Sequence, residues 1–176
     1  LQQIAQIACG EKADAVLIAG DVYQRTAPQA EAMALFDSFV SHLVQAGKKV
    51  FVISGNHDSA PRISYFSALV KNAGVYVTEA FGGEMQHVTL RDADGEITVW
   101  MMPFLRPAQV KRALPEEKIL SYQDAVRAVL RHAPIDFSGR NLLMCHQFIL
   151  GCEGGESEET AVGGLDAIDG GLFEGF

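Results

Sequence analysis

Two short apolar segments with an amphipathic segment between them place the strongest constraint on the fold of this chain. Residues 15–20 (AVLIAG) and 49–54 (KVFVIS) are rich in aliphatic residues, as expected for strands that are buried on both faces. Between them, apolar residues recur at helical spacing over residues 29–46, and Gly47 follows as a helix stop. This order predicts a right-handed βαβ unit with two parallel, neighbouring strands. We therefore predict an α/β fold in which the first strand lies centrally.

The rest of the chain continues this alternation of helices and strands. A helix precedes the first strand, because apolar residues recur at helical spacing from Leu1. Beyond residue 54, the patterns predict a helix over 61–72 capped by Ser59, a strand over 75–78 and a hairpin over 85–104 that turns at Asp94 and Gly95. Two helices, over 108–113 and 121–132, and a strand over 141–145 are predicted next. A long acidic loop beyond Gly151 and a short helix over 170–174 complete the predicted order.

Polar side chains that can bind a metal or transfer a proton follow three of the predicted strands. Asp21 follows the first strand, Asn56, His57 and Asp58 follow the second, and His146 follows a later one. Because ligands bind beyond the carboxyl ends of parallel strands, we expect these side chains to converge on one rim. A carboxylate, an amide oxygen and imidazoles suit Mn²⁺, Fe²⁺ or Zn²⁺ better than Ca²⁺. Two such ions, about 3.5 to 4 Å apart and sharing one carboxylate, can clamp both reacting oxygens of a phosphoryl displacement.

Each of these residues also has a purely structural interpretation. Asn56, His57 and Asp58 could form a polar turn before the next helix, Asp21 could be a turn or capping aspartate, and His146 could be a hydrogen-bonded core histidine. Agreement among the three strand ends favours the functional interpretation over any one of these alternatives.

The charge distribution qualifies what the net charge implies about partners. A net charge of -8 argues against nucleic acid, whose phosphates are usually met by clustered Lys and Arg. However, residues 151–176 contain seven acidic residues and no Lys or Arg, so residues 1–150 carry 15 acidic residues against 14 basic ones. The main part of the chain is therefore close to neutral, and DNA binding stays possible.

Composition also predicts the compartment. The chain is 48% apolar, which is enough for a sizeable core, yet no apolar run approaches the ~20 residues of a membrane span. The three cysteines, Cys9, Cys145 and Cys152, form neither an even disulfide set nor a CxxC pair. We expect a cytoplasmic protein without membrane contact.

Several motifs together resemble the metallophosphoesterase superfamily and, within it, the bacterial SbcD-type nuclease subunits. These motifs are residues 20–23 (GDVY), 55–58 (GNHD), 103–107 (PFLRP), 146–148 (HQF) and 162–166 (VGGLD). The resemblance covers essentially all 176 residues. It implies a four-layer α/β/β/α metallophosphoesterase sandwich, incomplete at both ends, in which residues 1–176 form a single partial nuclease domain.

The resemblance also implies a role for each candidate residue. Asp21 would bridge two divalent metal ions, and Asn56 and His146 would ligate the second ion. His57 would meet the scissile phosphate and stabilise its charge or protonate the leaving oxygen. Asp58 would hydrogen-bond His57 and fix its tautomer.

The activity implied by the family is hydrolysis of DNA phosphodiesters, with Mn²⁺ as the expected metal and Mg²⁺, Fe²⁺ or Zn²⁺ as alternatives. SbcD-type subunits act as exonucleases on duplex ends and as endonucleases on single-stranded or hairpin DNA, in DNA end processing and repair. They form homodimers that work with an SbcC-type ATPase in a heterotetramer. One alternative is a phosphomonoesterase or cyclic-nucleotide phosphodiesterase on the same site, and another is a non-catalytic interaction module with this fold.

The sequence departs from the family pattern in ways that limit these expectations. It contains neither the Asp-x-His motif nor the Gly-His-x-His motif, so we expect a fragment with about half of the metal site and weak activity on its own. Gln24 stands where relatives often have an acidic residue or a histidine, which leaves the role of that position open. We interpret the remaining arginine and histidine candidates as surface or structural residues, namely Arg25, Arg62, Arg106, His42, His87 and His132.

Overall fold

A computed structural model gives the fold of the protein, and the structure describes residues 1–151 and 167–176. The acidic loop predicted beyond Gly151, Cys152 and the motif at 162–166 therefore lie outside the described residues. None of the helices in the described part is long and apolar enough to cross a membrane.

Six α-helices and six strands are described. The helices are α1 (Gln2–Gly10), α2 (Ala30–Gln45), α3 (Ala60–Ile63), α4 (Ser67–Val70), α5 (Pro107–Ala113) and α6 (Tyr122–His132), with short 3-10 helices at Lys71–Ala73 and Gly170–Phe173. The strands are β1 (Ala15–Ala19), β2 (Lys49–Ile53), β3 (Val75–Val77), β4 (Gln86–Asp92), β5 (Gly95–Met102) and β6 (Arg140–Cys145). The elements divide between two compact units, Leu1–Ala80 and Phe81–Phe176.

The first unit confirms the βαβ prediction. Its sheet has the order β1-β2-β3, and all three strands are parallel. β1 and β2 are neighbours in register from Ala15 opposite Lys49 to Ala19 opposite Ile53, so their carboxyl ends lie side by side. The core of this unit combines residues of α1, α2 and the sheet: Ala5, Ala8, Phe39, Leu43, Val50, Val52 and Val75.

The second unit contains a mixed sheet in the order β4-β5-β6. β4 and β5 form the predicted antiparallel hairpin, and Gly95 opens β5 with a φ of 117° that favours glycine. β6 pairs with β5 in parallel, so the carboxyl ends of these two strands meet at Met102 and Cys145. α5 and α6 contribute Val110, Ala125, Val126 and Val129 to a core that also holds Trp100, Met102 and Ile168.

The first unit differs from the prediction in two places. Among the described residues β1 pairs only with β2 and therefore lies at the sheet edge, where Leu17 is 40% exposed, although its all-apolar sequence predicts a central strand. The helix predicted over 61–72 is divided into α3, α4 and a 3-10 turn, and Ser59 makes no capping hydrogen bond. The apolar residues of that segment do not form a continuous buried face, since Tyr65, Phe66 and Leu69 are exposed.

Candidate functional site

The loop that leaves β1 has an unusual backbone at the first candidate residue. Asp21 has a φ of 48° and follows Gly20, whose φ is 96°. A positive φ is uncommon for a residue other than glycine, although aspartate tolerates it better than most. The two consecutive left-handed residues turn the chain sharply at the end of β1. Asp21 is therefore held in one specific backbone conformation.

The glycine of the second motif lies directly against this aspartate. A Cβ atom on Gly55 would be 2.1 Å from the Oδ1 atom of Asp21 and 2.4 Å from its backbone nitrogen. Only glycine fits such an approach. Two residues later, the backbone N–H of His57 donates a hydrogen bond of 3.1 Å to Asp21 Oδ1. The loops after β1 and β2 are thus in direct contact at Asp21.

A second aspartate makes the reciprocal connection. Asp58 is 6% exposed, and its Oδ2 atom accepts hydrogen bonds from the backbone N–H groups of Gly55 at 2.8 Å and Val22 at 3.1 Å. Its Oδ1 atom accepts one from the N–H of Tyr23 at 3.0 Å. The carboxylate of Asp58 therefore accepts hydrogen bonds from the backbones of two loops. The hydrogen bond to the His57 ring that the resemblance implies stays a prediction.

A cleft of about 290 Å³ follows Asp21 along the same loop, and its lining includes Tyr23, Gln24, Arg25 and Gln29. Burial raises the pKa of the Tyr23 hydroxyl, and the nearby carboxylates of Asp58 and Asp37 raise it further. Tyr23 therefore stays a neutral hydrogen-bonding group beside the candidate site.

Arg62 contacts the loop after β1 at Thr26, five residues beyond Asp21. Its guanidinium donates a hydrogen bond of 3.0 Å to the carbonyl oxygen of Thr26. This contact links Arg62 to the loop that follows Asp21, and its exclusion from the candidate site stays a prediction.

The remaining candidate, His146, lies in the second unit. It follows β6 directly, and its ring meets the ring of Phe104 edge-on with 6.3 Å between centroids. Phe148 also meets Phe104 edge-on at 6.4 Å, and the Arg106 guanidinium lies 5.3 Å from the centre of the same ring. Phe104 therefore organises the surroundings of His146. The motif at 103–107 thus contributes an aromatic support beside a candidate ligand.

Two buried groups flank His146 in sequence. Burial raises the pKa of the Cys145 thiol, so that this side chain stays protonated and apolar. Both polar atoms of the Gln147 side chain are buried without a hydrogen-bond partner among the described residues. A buried thiol and a buried carboxamide therefore flank His146 in sequence.

The structure brings together four of the five candidate residues. Asp21, Asn56, His57 and Asp58 lie on the two loops that leave the neighbouring strands β1 and β2. His146 follows a strand of the other sheet, so the single rim expected for all three strand ends is wrong as a description of one sheet. The approach of His146 to the other four residues stays a prediction.

The donor chemistry fits a divalent cation, but only as part of a site. Asp21 and Asn56 offer carboxylate and amide oxygens on adjacent loops, which suit Mn²⁺ or Mg²⁺. Asp58 is already engaged with backbone donors. Within residues 1–151 and 167–176, no group of three or more His, Cys, Asp or Glu side chains is arranged to hold a metal ion. The expectation that these residues form only part of a metal site stays a prediction.

The histidines interpreted as structural or surface residues lie in such positions. The ring of His87 packs on Trp100 with 4.5 Å between centroids, and the Nε2 atom of His132 lies 2.8 Å from the carboxylate of Glu117. His42 is exposed in the last turn of α2. None of the three lies beside a candidate residue in chain order.

Sequence reasoning placed two further residues within its motifs but gave neither of them a role. The first is Gly55, whose lack of a side chain makes room for Asp21. The second is Phe104, which packs against His146. A glycine directly before a cluster of polar residues at a strand end signals a close backbone approach and could have identified the first. No local pattern identifies the second, because the contact joins β6 to a segment about forty residues earlier.

Comparisons with known proteins agree with these observations. Residues 1–154 match the family of calcineurin-like phosphoesterases, a range that includes all five candidate residues and parts of both units. The chain is 27% identical over 170 residues to the D component of the nuclease SbcCD of Staphylococcus saprophyticus, covering 94% of this chain and 44% of that protein. It is 27% identical over 173 residues to the protein of the same name in Staphylococcus epidermidis, covering 96% of this chain and 45% of that protein. The chain thus spans less than half the length of these relatives.

Proposed function

The chain belongs to the calcineurin-like phosphoesterase family, and on that basis we propose that it forms part of a metal-dependent phosphodiesterase that cleaves DNA. The membership bears out the α/β fold class and the superfamily resemblance of the sequence. It also includes residues of both units, which supports our prediction that residues 1–176 belong to one partial domain. The names of the two relatives support the assignment to the SbcD-type nucleases.

One observation carries this proposal. The loops after β1 and β2 are joined through the hydrogen bond from the His57 N–H to Asp21 Oδ1, so a carboxylate and a histidine lie together at the carboxyl ends of parallel strands. A polar turn that only capped α3 would not require a left-handed backbone at Asp21. It would also not require glycine at position 55, where the Cβ atom of any other residue would overlap Asp21. The arrangement is therefore better explained by a site than by a turn.

In the proposed reaction, Asp21, Asn56 and His146 would hold two divalent cations, Mn²⁺ first among them. When bound, such cations neutralise the developing charge on the phosphate and lower the pKa of a bound water. His57 would face the scissile phosphodiester and protonate the leaving oxygen. Phe104, whose ring meets the His146 ring edge-on at 6.3 Å, would help to orient the imidazole for ligation.

The same relatives suggest the setting of the reaction. Their names make each of them one component of a nuclease, SbcCD, and we propose a corresponding SbcC-type ATPase partner and a homodimer within a heterotetramer. Exonuclease action on duplex ends and endonuclease action on hairpin or single-stranded DNA, with a role in DNA repair and recombination, belong to the same proposal. Free thiols at Cys9 and Cys145 suit the cytoplasm, where we propose the protein works.

The decisive experiment compares three substrates in the full natural protein that contains these residues. With Mn²⁺, we expect hydrolysis of bis-p-nitrophenyl phosphate and degradation of linear duplex DNA, and little hydrolysis of p-nitrophenyl phosphate. Activity on the monoester alone would contradict the proposal and favour the phosphomonoesterase alternative. Residues 1–176 by themselves should bind Mn²⁺ weakly and cleave little DNA, so strong Mn²⁺-dependent degradation by this chain would contradict the expected partial site.

A further inference from the structure

We propose that Asp58 is a positioning residue for Asp21, which acts by fixing the backbone of the loop after β1 against the loop after β2. The role of Asp21 in catalysis rests on the proposed function, but the positioning of its loop does not. The proposal replaces the role that the resemblance implies for Asp58, in which this carboxylate would orient the ring of His57.

The first argument is the reciprocity of the contacts. Asp21, on the loop after β1, accepts a hydrogen bond from the backbone of His57 on the loop after β2. Asp58, on the loop after β2, accepts hydrogen bonds from the backbones of Val22 and Tyr23 on the loop after β1. Each loop therefore supplies both the acceptor and the donors that hold the other. Loss of Asp58 removes the two contacts that act on the residues immediately after Asp21.

The second argument is the chemistry of the acceptor. An ionised carboxylate has no hydrogen to donate, and its two oxygens offer about four acceptor positions. Three of these receive the N–H groups of Val22, Tyr23 and Gly55. Asp58 is buried, so water cannot easily substitute as the acceptor if the side chain is shortened. Charge-assisted hydrogen bonds of this kind are stronger than those between neutral groups.

The third argument is that Asp21 needs such support. Its φ of 48° lies in a region that residues other than glycine seldom adopt, even though aspartate tolerates it better than most. The backbone beyond Asp21 is fixed by the Asp58 contacts, and the space beside its carboxylate is limited by Gly55. If the two N–H groups were released, the loop could relax toward a negative φ. The carboxylate of Asp21 would then leave the position it occupies beside His57.

The test measures amide hydrogen exchange at single residues in the full natural protein without metal or DNA. In Asp58→Ala, we expect the amides of Val22 and Tyr23 to exchange at least about tenfold faster than in the unsubstituted protein, since each loses a buried charged acceptor. In Asp58→Asn, the increase should be smaller, because one acceptor oxygen remains. This graded rescue is expected from positioning through the backbone.

Two controls separate positioning from general destabilisation. The Thr78 amide donates to the Val52 carbonyl at 3.0 Å and reports on the sheet of the same unit, so its exchange should change much less. Asp37→Asn removes a carboxylate charge near Tyr23 from an exposed position on α2, and it should leave Val22 and Tyr23 unchanged. Equal acceleration at Thr78, Val22 and Tyr23 in Asp58→Ala would overturn the proposal, and so would no acceleration at Val22 and Tyr23.

A functional readout then distinguishes this proposal from the one on which it rests. If the protein hydrolyses bis-p-nitrophenyl phosphate, Asp58→Asn should lower the rate at every pH without moving the midpoints of the pH profile. A shifted midpoint would instead indicate that Asp58 acts on the His57 ring and would overturn the positioning role. If the protein has no such activity, the proposed function fails, whereas the exchange experiment still decides the role of Asp58.

Discussion

In the first unit, four backbone N–H groups converge on the carboxylates of Asp21 and Asp58, and three of these hydrogen bonds join the loops after β1 and β2. In the second unit, His146 follows β6 among aromatic rings, and the neighbouring carboxamide of Gln147 has no partner within the described residues. The contacts that join the loops of the first unit are directed hydrogen bonds, whereas the contacts around Phe104 in the second unit are edge-on packing between rings. The two regions thus differ in the kind of contact that lies beside their candidate residues.

The difference has a consequence for how the proposed site would form. Hydrogen bonds between short loops define the position of Asp21 closely before any cation or substrate arrives, which lowers the cost of binding. Packing against Phe104 orients the His146 ring less strictly, because edge-on aromatic contacts tolerate small rotations. We therefore expect the first unit to be sensitive to small changes of shape and the second to be more tolerant.

The largest effect should come from His57→Ala in the full natural protein. Loss of the proposed general acid should reduce hydrolysis of bis-p-nitrophenyl phosphate by about 10²- to 10⁴-fold, with the fold retained because the hydrogen bond from His57 to Asp21 uses the backbone N–H, which alanine keeps. His42→Ala, an exposed position on α2, is the matched control and should keep full activity. Undiminished turnover in His57→Ala would instead support a non-catalytic interaction module.

The next effect should come from Gly55→Ala. The new methyl group would overlap Oδ1 and the backbone nitrogen of Asp21, which lie 2.1 and 2.4 Å from its ideal position. We expect the first unit to lose about 3 kcal/mol of stability, measured by amide exchange in β2 and β3. Urea unfolding followed by Trp100 fluorescence reports on the second unit, where we expect little change.

Gly10→Ala is the control for this substitution. A Cβ atom at Gly10 has no heavy atom within 4 Å, and the residue lies in α1, so the change should be neutral or slightly stabilising. If Gly55→Ala were equally harmless, the tight contact between the two loops would not exist in solution, and the contrast between the units would disappear.

Much of the fold was predictable from the sequence because it depends on local periodicity. Apolar residues at helical spacing, as in α2, share one buried face only when the segment is a helix. The alternating residues on either side of Asp94 and Gly95 share one face only when the segments are strands. The broken helix at 60–70 was not predictable in this way, because Tyr65 and Phe66 look like core residues but are exposed. The edge position of β1 among the described strands was also not predicted, since an apolar sequence does not indicate how many strands pair with it.

The candidate site was predictable to the level of residue type and strand end. Asp21 and His57 lie beside one another because a βαβ connection places the ends of β1 and β2 together. The backbone partners of Asp58 were not predicted, because the sequence identifies the acceptor but not which donors face it. Those donors are backbone N–H groups, which every residue except proline carries, so no pattern of side chains marks them.

A smaller effect should appear at Gln147, where the second unit can be made more stable. Gln147→Leu replaces a buried carboxamide that has no partner among the described residues, and we expect a gain of about 1 kcal/mol in urea unfolding followed by Trp100 fluorescence. Gln109→Leu is the matched control, because the Gln109 amide donates to the Phe81 carbonyl at 3.3 Å and its loss should cost about 1 kcal/mol. Destabilisation by Gln147→Leu would show that this carboxamide is hydrogen-bonded in solution, and that directed hydrogen bonds lie beside His146 as they do beside Asp21.

The smallest effect concerns a carboxylate of the second unit that, unlike Asp58, is exposed and bound by a side chain. The Arg140 guanidinium donates to Asp92 at 2.7 and 2.8 Å and, with the Asp94 N–H, lowers the pKa of the Asp92 carboxyl from 3.8 to about 2. Because the folded-state pKa is the lower one, the stabilisation is present above pH ~4 and is lost as the pH falls through about 2. In Arg140→Met, the Asp92 carboxyl should titrate closer to 3.8 in a carbon-detected NMR experiment, with little change in stability near neutral pH since exposed pairs contribute little. A large loss of stability in this variant would mean that side-chain pairs in the second unit match the backbone contacts of Asp58 in strength, and would remove the contrast between the two units.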